Sequence, residues 1–487
     1  MAGAYFCMDL FMEHILSKYL YPLGLLLPLL LTGCKTETQE QAGTWFGGEI
    51  INPKADYVLL TKNSRLVDTI YLDKNNFFKY RFDSLVPGLY SFIHKEYQLV
   101  YIEPGDSIML RVNTLDFDES LAYSGEGAEK NNYLIDMFLH NEQEQKLMPS
   151  FYQKSPEEFS ASLDSMRAIR LEVLNRFKEK NESSAGFNTV AQASIDFDYY
   201  SKKELYPFAH YGSNHLENMN SLPADFYAFR NQVNYGDAHL YTYYPYYRYI
   251  SSYLDNVSYT TYMNGARFDR TSPVHTKAKL RLIDSVITHD SLKNNLLYAT
   301  TRRYLINSKD QESSREIFQL FLDKNSSEKQ HGEMKLLQSA CDKMIPGNPL
   351  PNQMVVTTEN TIKDLHSLIN RPTVLFFWSA GSSSHNKRIH KKAAEMRAKY
   401  PEFDFIGISV DQNHEKWLKT MAMRTFNEKT EYRFNDAATA ERELVLNSPN
   451  KAIIIDASGM IIENNTNIFG SNFEVQLLGY LNSSPFQ

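Results

Sequence analysis

Apolar and polar positions follow three different rhythms along this chain. From Thr44 to about Tyr123 they alternate with a period near two, as in Tyr57-Val58-Leu59-Leu60, Phe77-Phe78-Lys79-Tyr80-Arg81-Phe82 and Ser107-Ile108-Met109-Leu110-Arg111-Val112. Turn signals separate the runs: Asn52-Pro53, Lys74-Asn75-Asn76, Pro87-Gly88 and Glu103-Pro104-Gly105-Asp106. Alternation puts every second side chain on one face of a strand, so short alternating runs between turns predict a small antiparallel sandwich or barrel. From Asn131 to about Lys343 the apolar residues recur every three to four positions, the period of a helix face. Ser155-Pro156-Glu157-Glu158 predicts a helix start, with Ser at the cap, Pro at the first position and acids beside the positive end of the dipole. Leu222-Pro223-Ala224-Asp225 predicts another.

Beyond Pro346 the rhythm changes again, to alternating strand-like and helix-like blocks. Thr373-Val374-Leu375-Phe376-Phe377-Trp378 is a continuous apolar run, expected of a strand buried on both faces. A helical block follows from about Ser384 to Tyr400, then a strand through Phe403 to Asp411 and a helix around Glu415 to Thr420. Strands at Lys451 to Asp456 and Met460 to Glu463, and a last helix from Asn472 to Leu481, complete an α/β pattern with mixed strand pairing. The expected fold is therefore multidomain. An all-β sandwich-like domain (44–125) leads to an α-helical region (126–345) and a C-terminal α/β domain (346–487).

The first 34 residues stand outside this fold. Lys18 flanks the apolar run Leu23-Gly24-Leu25-Leu26-Leu27-Pro28-Leu29-Leu30-Leu31, too short for a spanning helix of about 20 residues but suited to a secretory signal. The run ends in Leu31-Thr32-Gly33-Cys34, which resembles the lipobox of bacterial lipoproteins. That resemblance implies cleavage before Cys34, acylation of its thiol and new amino group, and attachment to a membrane of the bacterial envelope, inner or outer, on a periplasmic or surface face. The polar residues 35–43 then form a tether.

Composition narrows the function classes. Of 487 residues, 43% are hydrophobic and 22% charged, a globular balance that excludes a disordered or coiled-coil chain. The net charge of −7 argues against a nucleic-acid partner, which calls for a basic face. Cysteines stand only at 7, 34 and 341, too far apart for a disulfide framework or a thiolate zinc site. The pairs His210/His215 and His385/His390 are five apart and so do not share a helix face, and no metal or other cofactor is expected. Tyr241, Tyr243, Tyr244, Tyr246, Tyr247 and Tyr249 form a run that reads either as a partly buried helical face or as a stacking surface for a ligand.

The C-terminal blocks resemble the thioredoxin superfamily, and within it the membrane-anchored thiol–disulfide oxidoreductases. The residues that carry the likeness are Gly347-Asn348-Pro349-Leu350-Pro351, the strand ending in Phe377-Trp378, Gly407-Ile408-Ser409-Val410-Asp411, and Ser448-Pro449 ahead of the Ile453 to Asp456 strand. The β-rich segment, with Pro87-Gly88-Leu89-Tyr90, Glu103-Pro104-Gly105-Asp106 and Gly125-Glu126-Gly127-Ala128, is similar to the module that precedes such domains in envelope lipoproteins. The likeness implies a cis-proline at Pro449 and a Cys-x-x-Cys pair soon after Trp378, at a helix start that stabilises the thiolate. Here that loop reads Trp378-Ser379-Ala380-Gly381-Ser382-Ser383-Ser384-His385. Ser382 and His385 stand where the two thiols belong, and neither can form a disulfide.

With no catalytic residue left, the expected protein is a binding module rather than an enzyme. The resemblance implies a groove for an extended peptide or an envelope protein, formed by Trp378, Ser382, His385, Ser448 and Pro449. The serines are expected to cap the following helix through their hydroxyls. A Ser382–His385 hydrolase pair lacks an orienting acid and an oxyanion hole. Cys341 is expected to be a small packed apolar residue. The alternatives are an active envelope thiol–disulfide oxidoreductase, and a lipoprotein of glycan or nutrient uptake that uses the tyrosine-rich region.

Overall fold

The computed structural model describes residues 43–483 apart from Ser64, 213–220, 262–268 and 270. The signal segment, Cys7, Cys34, most of the tether and His215 lie outside the described residues.

The alternating segment forms eight strands: β1 (Trp45–Ile51), β2 (Tyr57–Lys62), β3 (Arg65–Tyr71), β4 (Phe77–Arg81), β5 (Gly88–His94), β6 (Glu96–Ile102), β7 (Ser107–Asn113) and β8 (Ala122–Ser124). They make two four-stranded sheets, ordered β4-β1-β7-β8 and β3-β2-β5-β6. Phe46, Phe92, Ile108 and Leu110 close the core between them. The sandwich is not wholly antiparallel, because β1 and β7 run parallel in register Phe46↔Ile108 and Gly48↔Leu110. The chain between these strands crosses to the second sheet, and that crossover allows a parallel return. Gly48 permits their close approach, since a Cβ there would lie 2.2 Å from the Leu110 carbonyl oxygen.

The helical layer starts with a short turn, α1 (Phe117–Ser120), and α2 (Ala128–Gln145), followed by α3 (Met148–Phe151), α4 (Pro156–Lys180) and α5 (Ala185–Tyr211). α4 begins as its sequence predicts: the Ser155 hydroxyl accepts from the Glu158 amide while the Glu158 carboxylate accepts from the Ser155 amide. The start predicted at Leu222 is different. Bonds from Phe226 N to Pro223 O, Ala228 N to Asp225 O and Arg230 N to Tyr227 O are all three-residue closures, and the segment ends in a 3-10 helix, Ala228–Gln232. Buried Phe226 and Phe229 lie three apart, a spacing that a 3-10 helix brings onto one face. The layer continues with α6 (Tyr244–Thr261), α7 (Pro273–Val286), α8 (Asp290–Asn307), α9 (Gln311–Lys324) and α10 (Glu328–Lys343).

Polar contacts join the layer to the sandwich. The buried Asn131 side chain pairs with both backbone groups of Tyr101, accepting at 2.7 Å and donating at 3.0 Å. Lys130 lies 2.7 Å from Glu103 and 3.0 Å from Asp106, with little of its side chain exposed. Within the layer, buried Arg170 of α4 pairs with Glu144 of α2 and Asp198 of α5.

The C-terminal domain is built on a seven-stranded sheet ordered β10-β9-β13-β12-β11-β14-β15. Its elements are β9 (Met354–Val356), β10 (Ile362–Asp364), β11 (Thr373–Trp378), α11 (Ser383–Lys399), β12 (Asp404–Ser409), α12 (His414–Arg424), β13 (Glu431–Phe434), α13 (Ala437–Glu443), β14 (Lys451–Ile455), β15 (Ile461–Asn467) and α14 (Asn472–Ser483). β11 lies inside the sheet, parallel to β12 and antiparallel to β14. Val374, Phe376 and Trp378 enter one core, and Leu375 and Phe377 enter the other, as an apolar run buried on both faces requires. The second core also takes in Ile306, Ala340 and Met344, so the helical layer and this domain share packing.

Candidate functional site

The loop between β11 and α11 carries Ser382 to His385. A single carboxylate shapes its first half. Asp411, just past β12, accepts from Ser379 Oγ at 2.8 Å and from the Ala380 amide at 2.6 Å. Ser379 Oγ in turn accepts from the Gly381 amide at 3.1 Å. Ser409 Oγ donates to the same carboxylate at 2.7 Å. This turn delivers Ser382 to the N-cap of α11, where its hydroxyl makes no capping bond. The expected serine cap is therefore not what holds this helix start. Its carbonyl accepts the Asn386 amide at 2.9 Å, and Ser383 Oγ accepts instead from Arg424 of α12 at 2.6 Å.

The second half of the site comes from the loop before β14. Ser448 and Pro449 are exposed, as is Ser382. His385 Nε2 lies 3.2 Å from Asn450 Oδ1, which ties the start of α11 to that loop. With Oδ1 as acceptor, Nε2 carries the proton and Nδ1 remains an acceptor. Burial holds His385 below the usual imidazole value, against the hydrogen bond to Asn450, so the ring is neutral at physiological pH.

Trp378 does not line this surface. It is 2% exposed, and its Nε1 donates to Glu431 Oε2 at 2.9 Å. Glu431 Oε1 lies 3.3 Å from His390 Nε2, and His390 stacks on Phe426 with centroids 3.6 Å apart. Glu431, 3% exposed, is a carboxylate buried behind the loop. Sequence reading missed Asp411 as the clamp, and also Glu431, His390 and Asn450. Asp411 closes the Gly407 to Asp411 segment and Asn450 follows Pro449, so both had a local signal, whereas Glu431 had none.

Cys341 packs partly buried between the helical layer and the C-terminal domain. Burial pushes its thiol up to about 12, the reverse of what a reactive cysteine needs. Among the described residues, no group of three or more His, Cys, Asp or Glu is arranged to hold a metal ion, and no helix is long and apolar enough to cross a membrane.

Residues 370–461 match a family model described as thioredoxin-like, which makes the C-terminal unit a thioredoxin-like domain. Among solved structures, the thioredoxin domain of a thiol-disulfide oxidoreductase from Bacteroides vulgatus is similar at 17% identity over 28% of this chain and 95% of that one, with a TM-score of 0.23. A thioredoxin-like protein from Bacteroides caccae is similar at 12% identity over 58% of this chain and 94% of that one, with a TM-score of 0.33. Likenesses this distant carry nothing about activity. No curated protein matches the chain.

Proposed function

We propose that this chain is a lipid-anchored protein of the bacterial envelope whose thioredoxin-like domain binds an extended peptide or protein partner and does not exchange disulfides. The observation that carries the reading is the composition of the loop: exposed Ser382 and neutral, Asn450-bound His385 stand where a thiol pair would be. Exposed Ser448 and Pro449 supply the facing edge. Lipidation of Cys34 would supply the anchor. The alternative of an active oxidoreductase needs a second thiol near a reactive first one, and the Cys341 thiol is held in its protonated form by burial. Disulfide reduction by the wild-type chain, measured on insulin, tests the reading; turnover above the uncatalysed rate overturns it.

A second reading, capture of a small ligand such as a glycan or nutrient by the tyrosine-rich region, is favoured by one observation. The tyrosine run divides. Tyr246 and Tyr249 are fully buried in the helical core, while Tyr241, Tyr243, Tyr244 and Tyr247 line a cleft of about 700 Å³.

A further inference from the structure

That cleft lies between β6 of the sandwich and helices α2 and α6, far along the chain from the thioredoxin-like loop, and its volume is that of a small-molecule site. Leu99, Leu134 and Met137 give it an apolar wall opposite the tyrosines. Tyr97, Phe138 and Tyr244 belong to the lining and are 55%, 41% and 65% exposed. Three large rings left open to water around one concavity mark a surface that gains by being covered.

The charge of the lining has one sign. Glu96 and Asp118 contribute carboxylates, and among the described residues no lysine, arginine or histidine lines the cleft. Asp118 Oδ1 accepts from Gln98 Nε2 at 2.9 Å, a neutral donor. Burial, together with the neighbouring Glu96 and Glu142 carboxylates, holds Asp118 above the usual aspartate value. Its polar partner is thus neutral rather than cationic. Aromatic faces carry the negative end of the ring quadrupole, so the rings and the carboxylates favour the same kind of guest.

We propose that this cleft binds an organic cation with an apolar or aromatic body, its charge toward Glu96 and Asp118 and its body against the tyrosine rings. The inference rests on the second reading above and names its ligand class. A neutral saccharide would stack on the same rings, and the one-signed lining is what favours the cation. An anion of equal size would meet two carboxylates and no lysine, arginine or histidine among the described lining residues.

The test is calorimetric titration of the chain lacking residues 1–34 with three probes of similar shape, methyltriphenylphosphonium, triphenylphosphine oxide and methyltriphenylborate, and with maltotriose. The expected result is binding of the phosphonium at least about tenfold tighter than the neutral oxide, weakened by salt, with no binding of the borate. In Glu96→Gln/Asp118→Asn that preference should vanish while the circular dichroism spectrum and Tm stay unchanged. Leu134→Trp, which fills the cleft, should abolish binding of the phosphonium and of the oxide. Equal affinity for the cation and the neutral oxide, or binding of maltotriose alone, overturns the cation inference and leaves the ligand-capture reading standing. Binding of none of the four overturns both.

Discussion

His385 Nε2 sits 3.2 Å from Asn450 Oδ1, a contact that ties the start of α11 to the Pro449 loop. The two halves of a thioredoxin-like site are thus held together by a neutral hydrogen bond. Asp411 orders the turn before α11, and Ser382 stands exposed at the helix start.

Introducing two thiols into the loop should introduce disulfide exchange. Wild-type protein is expected to leave insulin disulfides intact, and Ser382→Cys/His385→Cys to reduce them in the presence of dithiothreitol. The first introduced thiol would sit at the positive end of α11, which favours its thiolate. An inert double variant that keeps the wild-type Tm would show that the loop geometry no longer supports exchange.

Trp378 should matter for stability. Trp378→Phe removes the donor to Glu431 and leaves a carboxylate that is 3% exposed short of one partner. A loss of about 1–3 kcal/mol in urea unfolding is expected. Gly407→Ala should add a steric version of the same effect, because its Cβ would fall 2.3 Å from Glu431 Oε2. If Trp378→Phe unfolds at the wild-type urea midpoint, this hydrogen bond is not a stabilising one.

The junction of sandwich and helices depends on Lys130. Lys130→Met would strand Asp106, a carboxylate that burial already holds above its usual value despite the lysine beside it. Removing one partner of a buried pair costs about 3–5 kcal/mol. The double variant Lys130→Met/Asp106→Leu should recover part of that loss, and no recovery would point to packing rather than charge.

Buried Lys451 should make stability rise with pH. Burial lowers its amine from 10.5 to about 7, and it donates to the carbonyls of Leu444 and Val445 at 2.9 and 2.8 Å. A neutral amine has two hydrogens for those two acceptors. Between pH 7 and 9 the unfolded chain binds the proton that the folded chain has lost, so unfolding free energy should climb by up to about 1.4 kcal/mol per pH unit from this group. Lys451→Met should flatten that slope. Above pH 9 the Cys341 thiol works in the opposite direction, since it stays protonated when folded up to about 12. Urea titrations at pH 7, 8 and 9 would decide, and an equal slope in the variant would refute the assignment.

Membrane attachment is expected to rest on one atom. Cys34→Ser should prevent labelling by a palmitate analogue in cells and shift the chain from the membrane to the soluble fraction. Labelling that persists in the variant would place the lipid elsewhere.

Much of the domain plan was legible because it is written locally. Period-two runs, the Ser155 cap and the apolar β11 segment each express interactions among residues a few positions apart, and all three formed as expected. The Leu222 start did not become an α-helix: its backbone bonds close over three residues, and Phe226 and Phe229 are buried there. The tyrosine run was ambiguous. One helical segment presents rings all round, and only its neighbours decide which of them are covered.

The sequence by itself determined that the loop between β11 and α11 holds no cysteine, and serine and histidine cannot form a disulfide in any fold. It also determined that α/β blocks follow helices and strands, because hydrophobic period is a property of the chain. Only the tertiary structure decided that Trp378 turns inward to Glu431, that Asp411 clamps the loop and that His385 meets Asn450. Only it opened a one-signed cleft between sandwich and helices. These contacts join residues 31 to 65 positions apart within the domain. Such pairings are selected by the packing of whole elements, which no local pattern encodes.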